Sequence, residues 1–484
     1  MQSLLDYSIE KVYNSNRNAK IMLKKAERWI IMNRDIIKEL TIWKTRKDRK
    51  PLLLTGVRQC GKTYSLLQFA QEQFQDVAYF NFEEDDTLSA VFDHDYKVNR
   101  IIDELGSVIR RKEILPGKTL VIFDEIQACP RAITSLKYFC ENLPELHLIG
   151  AGSLLGVALR AENISFPVGK VNRLEMFPMS FSEFVSADGG ENLINGLGKT
   201  DPALEIPAYY TVPLIRYLKL YYLIGGMPEV VRIWTETHSF EKVMEKQDEI
   251  LSDYADDFGK HAPPAELTKI RLIWESIPSQ LAKDNNKFVF SHVKSGMRAK
   301  DLEDALEWLV NAGLVSKLFL VEKPQIPLSG EADRTAFKVY LSDTGLLCRR
   351  ARIHYRTIMD SDDQFIHFKG ALTENYVLTQ LRALHINTWF WRSAANAEID
   401  FLTDEKGCLL PIEVKSADNT KAKSLHLFCS RYSPALAIKT SLKNVGDSWD
   451  GNTHVRSLPL YALFRLKETI DLEIGISQAL NYRK

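Results

Sequence analysis

The segment Gly56-Val57-Arg58-Gln59-Cys60-Gly61-Lys62-Thr63, directly after the apolar run Leu52-Leu53-Leu54, constrains this chain more than any other stretch. It has the form G-x-x-x-x-G-K-[ST] behind a strand, which is the pattern of a loop that cradles phosphate. Glycines let the backbone approach an anion closely, so that successive N–H groups and the next helix N-terminus point at phosphate oxygens. On this reading residues 56–63 hold a nucleoside triphosphate, Lys62 reaches the β and γ phosphates, and the Thr63 hydroxyl holds Mg²⁺. ATP and Mg²⁺ are the expected ligands.

Four apolar runs, Leu52–Leu54, Val77–Phe82, Leu120–Phe123 and Leu146–Ile149, recur between helical patterns. Such alternation predicts a parallel sheet covered on both faces. The run Thr119-Leu-Val-Ile-Phe-Asp124-Glu125 ends in two carboxylates, at the strand end where open α/β sheets place their ligands. It resembles a Walker B segment, in which Asp124 orders water around Mg²⁺ and Glu125 polarises the water that attacks the γ phosphate. The next run closes at Ser153, which is read either as a sensor of the γ phosphate or as an N-cap of the following helix.

At 484 residues the chain exceeds a usual single core, and about 150 residues per domain suggests roughly three domains. Lys plus Arg and Asp plus Glu both total 63, so no overall field commits the protein to nucleic acid or membrane. The local basic run Lys44-Thr-Arg-Lys-Asp-Arg-Lys50 is read as a solvated connector, with phosphate contact as the alternative. The six cysteines are scattered and form no C-x-x-C pair, which argues against a zinc cage or disulfide framework and fits a reducing cytosol. Residues 1–20 lack the form of a secretory signal. No apolar segment reaches the roughly 18 residues of a membrane span. A cytoplasmic protein without membrane partner is expected.

The series Gly56 to Thr63, Phe123-Asp-Glu-Ile-Gln127, Gly152-Ser153 and Phe177-Pro-Met-Ser-Phe-Ser-Glu-Phe184 resembles the prokaryotic AAA-superfamily ATPases that carry a C-terminal domain of unknown function. The resemblance runs over nearly the whole chain and implies an ASCE-type P-loop fold with glutamate-assisted hydrolysis. That family often has Gly-Arg shortly before the Pro-x-Ser-Phe-x-Glu-Phe stretch, whereas this chain reads Gly169-Lys170-Val-Asn-Arg173. Arg173 is the candidate arginine finger from a shifted position, or a surface residue.

Residues Gly189–Pro207 are rich in Gly, Asn and Pro and are expected to be a linker. Gly225-Gly226-Met-Pro228-Glu229 resembles a signature of the same family; its double glycine predicts a tight turn before a helix. Leu267–Ala282, Ala299–Ala312 and Val315–Val321 read as helix, helix and strand, which suits a winged-helix module. Glu303, Asp304 and Glu307 face outward and would repel phosphates, which favours a packing role over DNA reading, although Arg298 and Lys300 begin the helix.

Ala397–Lys415 reads as two alternating strands joined at Asp404–Gly407. A hairpin closed there sets Thr403 opposite Cys408, Asp400 opposite Pro411, and Glu413 diagonally beside Asp400. Ile399, Phe401, Ile412 and Val414 then share one face, and Asp400, Glu413 and Lys415 the other. Two carboxylates within roughly 7 Å would hold Mg²⁺, with a lysine to orient or deprotonate water. Glu374 shares its helix side with Leu378 and Leu381, and an inward carboxylate wants a metal or a basic partner. Glu374, Asp400, Glu413 and Lys415 resemble the Glu, Asp and Glu-x-Lys pattern of PD-(D/E)XK nuclease-like domains found at the end of this ATPase family.

The expected fold class is α/β: a P-loop parallel-sheet ATPase domain of ASCE/AAA type with an N-terminal helical segment over 1–200, a helical and winged-helix-like domain over 201–365, and an α/β PD-(D/E)XK nuclease-like domain over 366–484. The expected activity is Mg²⁺-dependent ATP hydrolysis, with the last domain acting on DNA or RNA, and a homo-oligomer is an open possibility. The alternative is an ATP-switched scaffold or regulatory protein with an inactive nuclease-like domain. A small-molecule kinase is disfavoured by Glu125, which suits water activation.

Overall fold

The computed structural model describes residues 32–158, 166–283, 287–360, 366–393, 397–415 and 423–481. Of the stretch where an N-terminal helical segment is expected, residues 1–31 lie outside them. The chain divides into two compact units, Met1–Phe177 with Asn311–Leu314, and Pro178–Val310 with Val315–Lys484.

The first unit is built on strands β1 (Leu52–Gly56), β2 (Asp76–Asn81), β3 (Thr119–Asp124), β4 (His147–Ala151) and β5 (Asn172–Met176). They form one sheet in the order β2-β3-β4-β1-β5, and every pairing is parallel. Continuous apolar runs are what a sheet buried on both faces requires, and Leu120, Val121, Ile122 and Phe123 are fully enclosed. Helices α1 (Ile36–Thr45), α2 (Lys62–Gln73) and α3 (Pro130–Asn142) belong to the same unit. Phe82, Phe92 and Phe123 pack with ring centroids 5.4 to 5.8 Å apart, the first and last edge to face, an arrangement favoured by the aromatic quadrupole. Strand β4 lies between the loop strand β1 and the acid strand β3, the additional-strand arrangement that the family resemblance implies.

The basic run 44–50 is exposed over residues 45–48, as a solvated connector would be, and tied down at both ends. Lys44 Nζ donates to Gln73 O at 2.6 Å, Arg49 to the carbonyls of Pro144 and Leu146 at 2.8 and 2.9 Å, and Lys50 Nζ to Gly169 O at 2.7 Å. These cations satisfy carbonyls where strands and helices end, a use of charge that composition does not reveal.

The second unit begins at Pro178, so residues 178–200 do not lie with the phosphate-loop unit as the expected boundary at 200 would have it. The linker expected over Gly189–Pro207 is also structured. A helix over Phe181–Val185 starts with a capping box in which Ser180 Oγ accepts from Glu183 N and Glu183 returns to Ser180 N, and a further helix follows over Glu191–Leu197. Beyond it, Arg465 donates to Thr200 O at 2.6 Å, and Asn444 exchanges bonds with the Ile206 backbone at 2.8 and 2.9 Å. The order of this stretch comes from partners more than two hundred residues away, which local composition cannot show.

Helices α4 (Ala208–Ile224), α5 (Phe240–His261), α6 (Leu267–Leu281) and α7 (Ala299–Asn311) follow, and the last two match the expected pair closely. Leu302, Leu306 and Leu309 are buried, whereas Glu303 and Asp304 are exposed. The double-glycine signature after α4 encloses a carboxylate. Gly226 N–H donates to Asp343 Oδ2 at 2.6 Å, and a Cβ at Gly225 would fall 2.2 Å from Asp343 Oδ1. Asp343 in turn caps α8 (Thr344–Arg350) through Leu346 N–H. Burial raises its pKa to about 6 against backbone donors from Gly226, Leu346 and Gly345.

One mixed sheet runs through the rest of the unit in the order β12-β13-β11-β10-β9-β8-β6-β7. Its strands are β6 (Val315–Val321), β7 (Ala332–Leu341), β8 (Trp389–Arg392), β9 (Glu398–Thr403), β10 (Leu410–Val414), β11 (Leu436–Ser441), β12 (Gly446–Asp450) and β13 (Thr453–Pro459), with helices α9 (Ile366–Ala383) and α10 (Lys423–Tyr432). The strand expected to serve as a wing, β6, pairs with β7 on one side and β8 on the other. The sheet therefore crosses the expected boundary at 365, and β6 with β7 extends the C-terminal sheet.

The β9–β10 hairpin has the expected faces and a shifted register. Thr403 pairs with Leu410, Leu402 with Pro411 and Phe401 with Ile412. The offset from the expected register is two residues, because the connection is a longer turn in which Lys406 and Gly407 have φ of 52° and 74°. An even shift preserves which side chains share a face and moves Asp400 from opposite Pro411 to opposite Glu413.

Candidate functional site

The phosphate loop leaves β1 at Gly56, where φ is 150° and a Cβ would meet Met176 O at 2.3 Å, so the sharp exit demands glycine. Gly61 precedes α2 with φ 93°. Lys62 is buried, and its Nζ donates to Gly56 O and Val57 O at 2.9 and 3.0 Å. Its ammonium is thus satisfied by neutral carbonyls. The far side of the loop is held by Arg34, which sequence reasoning missed. Its guanidinium donates to Cys60 O at 2.9 Å and Phe177 O at 2.7 Å. A lone arginine ahead of a helix carries no pattern that would reveal this contact.

Across the loop, Thr63 Oγ1 donates to Asp124 Oδ2 at 2.7 Å, and the Tyr79 hydroxyl donates to the same oxygen at 2.8 Å. Burial and then the neighbouring Glu125 raise the Asp124 pKa, while Thr63, Tyr79 and Lys62 oppose the rise. Burial and then Asp124 push the Tyr79 phenol well above its ordinary value, which keeps it a donor. A hydroxyl and a carboxylate brought together at a helix start form a hard oxygen pair of the kind Mg²⁺ takes.

Glu125 follows with φ 46° and ψ 43°, a left-handed conformation costly for a residue with a Cβ. Its Oε2 accepts from Gln127 Nε2 at 2.6 Å, with Ser153 N and Oγ each at 3.4 Å. The structure therefore gathers residues 56–63, Asp124, Glu125 and Ser153 at one end of the sheet. Arg173 is not brought to them. It pairs with Leu53 near the start of β1, is exposed, and its guanidinium stacks 4.4 Å from the Phe166 ring centroid.

The second constellation lies in the second unit. Glu374 comes from α9, Asp400 from β9, Glu413 from β10 and Lys415 from just beyond β10, and charge interactions link all four. Asp400 Oδ2 accepts from Val414 N at 2.7 Å, and Lys415 Nζ reaches Glu413 Oε1 at 2.5 Å. Glu413 is 2% exposed, and its Oε2 is buried without a hydrogen-bond partner among the described residues. Burial raises the Asp400 pKa well above the usual carboxylate range, with Glu413 and Glu374 adding to the rise. Burial raises that of Glu413 as well, opposed by Lys415.

The basic partner that Glu374 calls for is Lys338 on β7, which the sequence reading missed. This lysine is wholly buried, with Nζ 2.6 Å from Glu398 Oε1 and 3.4 Å from Glu374 Oε2. Burial works against its charge, yet Glu374, Glu398 and Asp400 raise its pKa above the ordinary lysine value. The Tyr340 hydroxyl donates to Glu374 Oε2 at 2.8 Å, and Arg392 pairs with Glu398 at 2.5 Å. The alternation of β7 places Lys338 and Tyr340 on one face, but nothing local says which acids they meet. Among the described residues no group of three or more His, Cys, Asp or Glu side chains is set to hold a metal ion. Asp400 with the unsatisfied Glu413 is the pair with oxygen available to one.

Residues 48–185 match the family model described as an AAA domain. The loop at 56–63, Asp124, Glu125 and Ser153 all fall within that match. Residues 215–357 match a domain of unknown function (DUF8612), and residues 369–461 a second one (DUF4143). A curated relative, the uncharacterized protein MJ1544 of Methanocaldococcus jannaschii, is 26% identical over 271 residues, and the match spans 54% of each chain. The chain thus spans about half the length of that relative. Among solved structures, a Walker-type ATPase of Pyrococcus abyssi aligns at 15% identity over 67% of this chain and 96% of its own, with a TM-score of 0.42. The ORC2 protein of Aeropyrum pernix, in ADPNP–ADP complexes, aligns at 14% identity over 68% and 94%, with a TM-score of 0.35. No helix among the described residues is long and apolar enough to cross a membrane.

Proposed function

We propose that this chain is an ATP-hydrolysing P-loop protein, and the observation that carries the reading is the 2.7 Å contact between Thr63 and Asp124 across the loop mouth. That contact joins the two ends of an acid-and-hydroxyl pair suited to Mg²⁺, which when bound would neutralise phosphate charge. Lys62 would leave the Gly56 and Val57 carbonyls for the β and γ phosphates. Glu125 would orient the attacking water and accept its proton, with Ser153 beside it at the γ-phosphate end. Purified protein should bind Mg²⁺-ATP by calorimetry and release phosphate, and Lys62→Ala should abolish release. Failure of the parent protein to bind ATP would overturn the reading.

For the second unit the same proposal has a nuclease-like domain acting on DNA or RNA. The buried unsatisfied oxygen of Glu413 supports it, beside Asp400 and Lys415. A specific observation favours the alternative of a nucleotide-switched regulator: Lys338 already pairs with Glu374, and with the neighbouring Glu398, from within. Nicking of single- and double-stranded DNA and RNA with Mg²⁺ or Mn²⁺ separates the two. Cleavage that disappears in Asp400→Ala supports the nuclease; no cleavage under any metal or nucleotide supports the regulator.

A further inference from the structure

We infer that Gln127 is a positioning residue that fixes the carboxylate of Glu125 for its encounter with water; this rests on the ATP-hydrolysing reading. Gln127 lies two residues beyond Glu125, and the single 3₁₀ turn Ile126–Ala128 bends the chain so that its amide returns to that acid. The resulting contact, Nε2 to Oε2 at 2.6 Å, is the tightest that Glu125 makes within the site. A donor facing a carboxylate gives a strong, directional bond. It also fixes which way round the amide sits, because the reverse orientation would set oxygen against oxygen.

The amide is itself held by shape. A Cβ at Gly152 would fall 2.0 Å from Gln127 Oε1 and 3.1 Å from its Cδ, so the amide lies directly on the Gly152 backbone. Oε1 is buried there with no hydrogen-bond partner among the described residues. Burying an unsatisfied carbonyl oxygen costs free energy, and the contact it permits is the bond from Nε2 to Glu125. The next residue, Ser153, approaches the same Glu125 oxygen from the end of β4. One end of β4 thus supports Gln127 through Gly152 and touches Glu125 through Ser153. With Oε2 engaged from both sides, rotation of the carboxylate is restrained, and Oε1 is the oxygen presented to water. A base on a backbone at φ 46° needs such restraint, since misplacement by about 1 Å can cost roughly 100-fold in rate.

The test is Gln127→Met, which fills similar space and cannot donate. The expected result is a kcat lowered on the order of 10- to 100-fold, with KM and affinity for a non-hydrolysable ATP analogue within about twofold of the parent. In a Glu125→Gln background the same substitution should have almost no further effect, because the group it positions is gone. A merely structural role would lower both backgrounds alike. If Gln127→Met does not fold, Gln127→Ala carries the same expectation. Parent-like kcat in these variants, or an equal loss in the Glu125→Gln background, overturns the inference alone. A parent protein that binds ATP and never hydrolyses it overturns the underlying reading, and the inference with it.

Discussion

Lys62 and Lys338 are both buried lysines close to acids, and their partners make them opposites. The Lys62 ammonium rests on two backbone carbonyls, whereas the Lys338 ammonium is engaged by Glu374 and Glu398. A cation on neutral acceptors keeps its charge for an incoming anion. One among carboxylates has already given it to the fold. The first arrangement suits a site that works by capturing phosphate, while the second makes the charge balance of the acid cluster part of the stability of its unit.

The same substitution at the two positions should therefore break different things. Lys62→Met should lower ATP turnover by roughly 10³-fold or more, since phosphate-directed cations contribute on that scale, and should cost less stability than the Lys338 substitution, because Asp124 keeps its bonds from Thr63 and Tyr79 when the lysine is gone. Phosphate release and denaturant titration on the same sample check both halves. Lys338→Met should cost about 3–5 kcal/mol in denaturant titration by removing the buried charge that Glu374 and Glu398 share. If Asp400 and Glu413 accept a divalent ion, Mg²⁺ or Mn²⁺ should restore part of that loss. A Lys338→Met protein as stable as the parent would erase the contrast.

Asp343 sharpens the comparison with a carboxylate that has amide donors and no lysine. Its value of about 6 in the folded chain exceeds the ordinary 3.8, so folding strengthens its hold on the proton. That contribution to stability is complete below about pH 4 and is lost as pH rises through about 6. Asp343→Asn should flatten the slope of stability across this window by up to about 3 kcal/mol, as denaturant titrations at several pH values would show. At the small end, Arg46 pairs with Asp48 at 2.9 Å on the exposed surface. Arg46→Ala should leave the melting temperature unchanged within error, as exposed pairs usually do.

The phosphate-loop site was largely legible because its chemistry is contiguous: residues 56–63 and the 124–125 pair each lie at the end of an apolar strand. Its supports were not. Arg34 reaches the loop from outside any motif, and Gln127 was visible within the Asp-Glu-Ile-Gln series without a role. In the second unit, alternation gave the correct faces for Asp400, Glu413 and Lys415, and helical spacing turned Glu374 inward. The register came out two residues off because Lys406 adopts a left-handed turn that composition does not specify. Lys338 was illegible because its partners lie on β9 and α9, joined to it only by the fold. The capping box at Ser180 and Glu183 was present as a legible Ser-x-x-Glu pattern and would have extended helix toward the supposed linker.

The path of the eight-stranded sheet has a practical consequence for dissecting the chain. A fragment begun at residue 366 would discard β6 and β7 and bare the side of β8 that β6 covers. An uncovered edge invites self-association. The same cut would take Lys338 and Tyr340 from Glu374, so a nuclease assay on that piece would report on a damaged acid cluster, and silence from it would carry no weight against cleavage by the intact protein.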